Sequence, residues 1–185
     1  MAGHLGDEVT ARLALADDDA AVVGTALGAL ARMGRLTTDD VTRALADPRP
    51  AVRRRALEVQ LTAGLDVSTH VLRLLDDPDP TVVEVAAWAC GERRPPGPGA
   101  VSRLASLATD HDDALVREAA VAALGAVGDP AGLPAVLSAT RDKVTVRRRA
   151  VLALAAFTGP DVDAALARAA ADRDWQVRQA AEDLS

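Results

Sequence analysis

Valines and alanines recur along this chain at a nearly fixed interval. Val22, Val52, Val82, Val116, Val146 and Val177 lie 30, 30, 34, 30 and 31 residues apart. Each is followed four residues later by an alanine: Ala26, Ala56, Ala86, Ala120, Ala150 and Ala181. Leu30, Leu124 and Leu154 carry the stripe to the eighth residue. Apolar side chains at this spacing share one face of an α-helix. An acidic run precedes each valine: residues 17–22 (DDDAAV), 47–52 (DPRPAV), 77–82 (DPDPTV), 112–116 (DDALV), 142–146 (DKVTV) and 172–177 (DRDWQV). Pro50 and Pro80 suit a first helical turn, where the missing N–H would have no partner. Asp19, Asp79, Asp113 and Asp174 stand where a carboxylate can accept from the free N–H groups of a helix start. A helix, termed B, is therefore predicted to begin at every motif. Helices A precede them, with stripes Val9, Leu13, Leu15; Val41, Ala44, Leu45; Val71, Leu74, Leu75; Val101, Leu104, Leu107; Leu133, Val136, Leu137; and Val162, Ala165, Leu166. Gly34, Gly64, Gly91, Gly128 and Gly159 fall near the B-helix ends, where a left-handed cap or turn is wanted.

A single pair of such helices cannot bury its apolar face, so the pairs must stack. The expected fold is all-α: one domain, residues 1–185, forming a right-handed α-α superhelix of six pairs at about 1–35, 36–65, 66–99, 100–129, 130–159 and 160–185. The composition agrees, because 41 alanines against one Phe, two Trp and no Tyr suit closely packed helices better than sheets. The insert from Arg93 to Gly99 (RRPPGPG) is too proline-dense to be helical and reads as a surface loop. The last pair is short, and Trp175 at its first helical position reads as a cap shielding the final repeat.

Residues 116–137 (VREAAVAALGAVGDPAGLPAVL), 146–157 (VRRRAVLALAAF) and 175–184 (WQVRQAAEDL) resemble HEAT-like repeats of the short bacterial type, as found in phycobilin lyases. The resemblance covers essentially the whole chain and implies that the B helices line a concave surface. Its members include protein-interaction scaffolds, phycobilin lyase subunits and alkylpurine DNA glycosylases, so it implies a fold and leaves the function open.

The chemistry is sparse. With 21 basic against 27 acidic residues, the net charge of −6 argues against a general nucleic-acid binder. One cysteine excludes an internal disulfide and a Cys-based zinc site. No apolar run reaches the ~18 residues of a membrane span and no signal-peptide core opens the chain, so a cytoplasmic protein is expected. His4, His70 and His111 form no His-x-x-x-His or Glu-x-x-His pair, which the HEAT-repeat di-iron hydroxylases would require. Asp110, His111, Asp112 and Asp113 could hold a cation, but the run reads more simply as a helix start. Cys90 falls on the buried stripe and reads as core. No nucleophile elbow, phosphate loop or dinucleotide fingerprint occurs. Neither a catalytic residue, a metal nor a cofactor is expected, and the chain leans away from being an enzyme. The repeated acids read as caps, and Arg53, Arg117, Arg147 and Arg178 as ion-pair partners of an Asp in the same or the neighbouring repeat.

Positions two, six and nine after each valine form the predicted groove: Gly24, Gly28, Ala31; Arg54, Glu58, Leu61; Glu84, Trp88, Gly91; Glu118, Ala122, Gly125; and Arg148, Leu152, Ala155. From these, Arg54, Glu58, Glu84, Trp88, Glu118, Arg148 and Leu152 are the candidate binding residues. Trp88 among charges has the character of an interface anchor, unless the proline-rich insert folds over it. By repeat the net charges are −2, +1, −3, −3, +4 and −3, and the two basic repeats carry the triplets Arg53, Arg54, Arg55 and Arg147, Arg148, Arg149. Acidic repeats intervene, and a continuous phosphate track would not contain them. The expected function is a non-enzymatic scaffold binding a protein or peptide on the helix B face. The alternatives are a lyase-like or other enzyme handling a small ligand in that groove, and an anion or nucleic-acid binder using the triplets.

Overall fold

The computed structural model describes residues 2–93 and 96–184, with side chains from residue 7 onward. Among the described residues there are no strands, and the helices run in the order α1 (Ala2–Ala14), α2 (Ala20–Arg32), α3 (Thr38–Leu45), α4 (Pro50–Thr62), α5 (Ser68–Arg73), α6 (Pro80–Gly91), α7 (Ala100–Asp110), α8 (Ala114–Val127), α9 (Leu133–Ala139), α10 (Val144–Ala153), α11 (Pro160–Ala169) and α12 (Trp175–Glu182). Short 3-10 turns extend α5 and α10 and precede α9. Every even-numbered helix starts at a repeat motif. The cause is local: Asp19, Asp113 and Asp174 accept from the N–H of Ala21, Leu115 and Gln176 at 2.8, 2.8 and 2.9 Å. Asp79 holds Thr81 in the same way at 2.9 Å. Arg49 and Lys143 provide no such cap to α4 and α10. The α8 helix ends where Gly128 turns left-handed, φ 68°, and donates its N–H to the Leu124 carbonyl at 2.9 Å. Residues 96–99 of the insert are not helical, while Arg94 and Pro95 lie outside the described residues.

The chain divides into two compact units, Met1–Ala89 and Cys90–Ser185. In the first unit, α2 packs on α4 and α3 on α5, so like helices form layers, and α1–α2 and α3–α4 pack across them. The second unit repeats this arrangement, with α8, α10 and α12 in one layer and α7, α9 and α11 in the other. The apolar stripes meet between the layers. Val52 and Val82 in the first unit and Val116, Val146 and Val177 in the second are buried, as are all six alanines of the repeat.

Val22 breaks this rule, being 37% exposed, while its neighbour Val23 is buried. Val52, by contrast, lines a cleft with Leu15, Ala16 and Val23 of the preceding pair. On α1, likewise, Val9 and Leu13 are exposed and Ala11 is buried instead. Gly91 also departs from expectation. It lies within α6 rather than in a turn, and a Cβ there would stand 2.9 Å from the Ala123 Cα.

Arginines staple successive pairs through aspartates 24 or 25 residues ahead. Within the first unit, Arg53 grips Asp77 with two bonds of 2.7 Å. Within the second, Arg117 grips Asp142 at 2.6 and 2.9 Å, and Arg147 grips Asp172 at 3.0 and 2.9 Å. The remaining guanidinium nitrogen of each donates to main-chain carbonyls of its own turn, such as Asp47 O at 2.8 Å for Arg53. Arg178, among the described residues, bonds the carbonyls of Asp172 and Arg173 and no aspartate side chain. The third repeat carries Val83 where the arginine stands, and the fourth carries His111 at the loop position of the aspartate, its Nδ1 accepting the Asp113 N–H at 3.0 Å.

The paired carboxylates make stability acid-sensitive. Hydrogen bonds from Arg49, Arg117 and Arg147 hold the Asp47, Asp142 and Asp172 carboxyls below the usual carboxylate range. Asp40 is lowered as well: its burial opposes ionisation, but bonds from Thr37 and Arg12 outweigh it. A carboxyl whose folded value is depressed contributes stability above its unfolded value and loses it as pH falls towards the folded one. The urea midpoint should therefore decline steeply once pH drops below about 4. A midpoint unchanged between neutral pH and pH ~3 would show that these pairs contribute nothing.

Candidate interaction surfaces

The residues singled out by spacing fall on two surfaces, one in each unit. In the first unit, Arg54 is exposed on α4 and makes no hydrogen bond or ion pair among the described residues. Glu58, one turn on, accepts from Arg55 at 2.8 Å. On α6, Glu84 is unpaired among the described residues and Trp88 is 45% exposed. Gly24 and Gly28 on α2 are not open groove, because Arg55 lies over them. Its Nε donates to the Gly24 carbonyl at 3.3 Å, and a Cβ at Gly28 would stand 2.5 Å from its Nη2.

In the second unit, Glu118, Arg148 and Leu152 come together around a cavity of about 140 Å³. Val144, Thr145, Arg149, Asp174 and Gln176 complete its lining, and spacing had not picked them out. The signal for Val144 was an apolar β-branched residue at a helix start that holds proline in α4 and α6. Arg149 donates to Glu118 at 3.3 and 3.4 Å across this cavity. Gly125 belongs to the packing instead: a Cβ there would meet the Ala153 Cα at 2.8 Å, so α8 and α10 approach closely.

Each arginine triplet is therefore divided in its roles. Arg53 and Arg147 are each only 8% exposed and work as staples. Arg55 and Arg149 bind Glu58 and Glu118. Arg54 and Arg148 alone are left unpaired among the described residues.

The other candidates resolve into structural roles. Trp175 is 64% exposed at the start of α12 and does not shield the last repeat. Burial pushes the Cys90 thiol up to about 11, so it stays protonated and inert at neutral pH. Asp113 caps α8, and no group of three metal-ligating side chains occurs among the described residues. No helix among the described residues is long and apolar enough to cross a membrane.

Residues 68–145 match the family model for HEAT repeats. Among solved structures, a designed armadillo repeat protein in complex with the peptide (KR)4 is similar over 95% of this chain and 96% of its own, with a TM-score of 0.68 and 18% identity. An engineered protein matches over 96% of both chains, with a TM-score of 0.69 and 19% identity. The Escherichia coli protein YibA matches with a TM-score of 0.65 and 20% identity over 85% of this chain, which spans 60% of YibA's length. No curated protein sequence matches the chain. The designed armadillo repeat protein and the engineered protein thus share the fold over nearly the whole chain.

Proposed function

We propose that this HEAT-repeat chain is a non-catalytic scaffold that binds a protein or peptide segment on the exposed faces of its B helices. The observation that carries this reading is Trp88, 45% exposed on α6. A large aromatic half in water, in a chain with two tryptophans, offers much of the contact area that anchors a protein interface. Arg54 on α4 and Glu84 on α6 add charges with no internal partner among the described residues. That a designed armadillo repeat protein of this fold holds a peptide supports the same use here. The division of the triplets weakens a nucleic-acid role, because only the middle arginine of each is free to meet a phosphate.

Affinity capture from lysate with crosslinking would identify the partner, and titration of that partner against Trp88→Ala tests the reading. The variant should melt near wild type and bind on the order of 30-fold more weakly, equivalent to about 2 kcal/mol. Strong destabilisation without a binding defect would make Trp88 a core residue. Binding of random duplex DNA with a steep salt dependence, lost in Arg54→Glu or Arg148→Glu, would overturn the protein-scaffold reading.

A further inference from the structure

We infer that the cleft between α8, α10 and α12 in the second unit reads an acidic peptide segment, one carboxylate flanked on each side by an aliphatic side chain. This rests on the scaffold reading and names the partner chemistry for a surface distinct from that of Trp88.

The floor of the cleft is one row on α10. Val144, Arg148 and Leu152 lie four residues apart, so successive side chains stand about 6 Å apart along the helix. The two aliphatic members line the cavity yet remain 38% and 36% exposed. Between them, Arg148 is exposed and unpaired among the described residues.

The other arginines of the B helices in this unit are already committed. Arg117 and Arg147 hold Asp142 and Asp172, Arg149 holds Glu118, and Arg178 holds two carbonyls. The acids beside the cleft are spoken for too: Glu118 by Arg149, and Asp174 by the N–H groups of Gln176 and Val177 at 2.9 and 3.3 Å. Arg148 is thus the arginine on the B helices of this unit that is left to an external counter-charge.

An apolar–cation–apolar row calls for an apolar–anion–apolar complement. In an extended peptide, side chains on one face are two residues and about 6.6 Å apart, close to the spacing of the row. A segment of the form Leu-x-Glu-x-Leu would set its carboxylate on Arg148 and its leucines on Val144 and Leu152. The guanidinium fork suits a two-pronged carboxylate contact, and the aliphatic walls exclude water from it. A basic peptide would meet Arg148 with like charge.

The test is fluorescence anisotropy with the full chain and a fluorescein-labelled peptide carrying Leu-Ser-Glu-Ser-Leu in a Gly/Ser frame. Saturable binding is expected, weakened about tenfold or more when glutamine replaces the peptide's glutamate. In Arg148→Gln that preference for glutamate over glutamine should vanish, while Leu152→Ser should weaken both peptides alike. Arg148 is solvent-exposed, so its variant should melt as the wild type does. Absence of binding, equal binding of the glutamine peptide, tighter binding of a lysine peptide, or a glutamate preference that survives Arg148→Gln would each overturn the proposal. Trp88→Ala should leave this titration unchanged. A peptide indifferent to Arg148 alongside an intact Trp88 effect sinks the cleft alone, and the opposite pair of results sinks the Trp88 surface alone.

Discussion

Leu124→Ala should lower the unfolding free energy by about 2–5 kcal/mol, towards the upper end of that range. Leu124 is the eighth residue of the stripe on α8 and is fully buried. Its δ-carbon lies directly over buried Gly132, where a Cβ would stand 2.9 Å away. Truncation removes three carbons above a residue that has no side chain to swing into the space. The hole can therefore close only by moving backbone, and such cavities are the costly ones. Because repeat arrays can lose one end before the other, unfolding should be followed by both circular dichroism and tryptophan fluorescence. A urea midpoint matching wild type would mean that the helical register of α8 is wrong.

The parts of the fold that could be read from the chain are those decided within one turn of helix. Asp19, Asp113 and Asp174 cap helices through N–H groups two residues away, so the helix starts were visible in the motifs. Burial at the first pair was not, because Val22 carries the same local pattern as Val52 yet is exposed, whereas Val52 sits against Leu15, Ala16 and Val23 of the preceding pair. Glycines were ambiguous for a related reason. Gly128 is a left-handed cap, whereas Gly91 and Gly125 exist to let Ala123 and Ala153 of the next B helix approach, a demand made by a chain segment about 30 residues away. For the candidate surfaces, spacing placed Arg148 and Leu152 on one stripe. It could not say which arginine of RRR is free, since the partners of Arg147 and Arg149 sit 25 residues ahead and 31 behind. Those long-range pairings decide which charges remain exposed and unpaired among the described residues.

Arg53→Ala should destabilise the first unit by about 3–5 kcal/mol, whereas Arg54→Ala beside it should stay within about 0.5 kcal/mol. The two residues have the same chemistry and adjacent positions, so the contrast isolates environment. The Arg53 and Asp77 side chains are 10% and 3% exposed, which leaves little solvent to screen the pair. Removing Arg53 strands the Asp77 carboxylate in the interior and unties the carbonyls of Asp47 and Pro48, to which Arg53 donates at 2.8 and 3.0 Å. Breaking one half of a buried pair costs more than the pair contributes, because the remaining charge is left uncompensated. Combining Arg53→Ala with Asp77→Asn should therefore recover part of the loss, the amide needing no counter-ion while still accepting the Asp79 N–H that Asp77 now holds at 2.9 Å. A double-mutant cycle by urea denaturation measures this coupling directly. Equal effects of Arg53→Ala and Arg54→Ala, or strictly additive losses in the double variant, would mean that the staple carries no stability. The division of each triplet into bound outer arginines and a free middle one would then lose its physical basis.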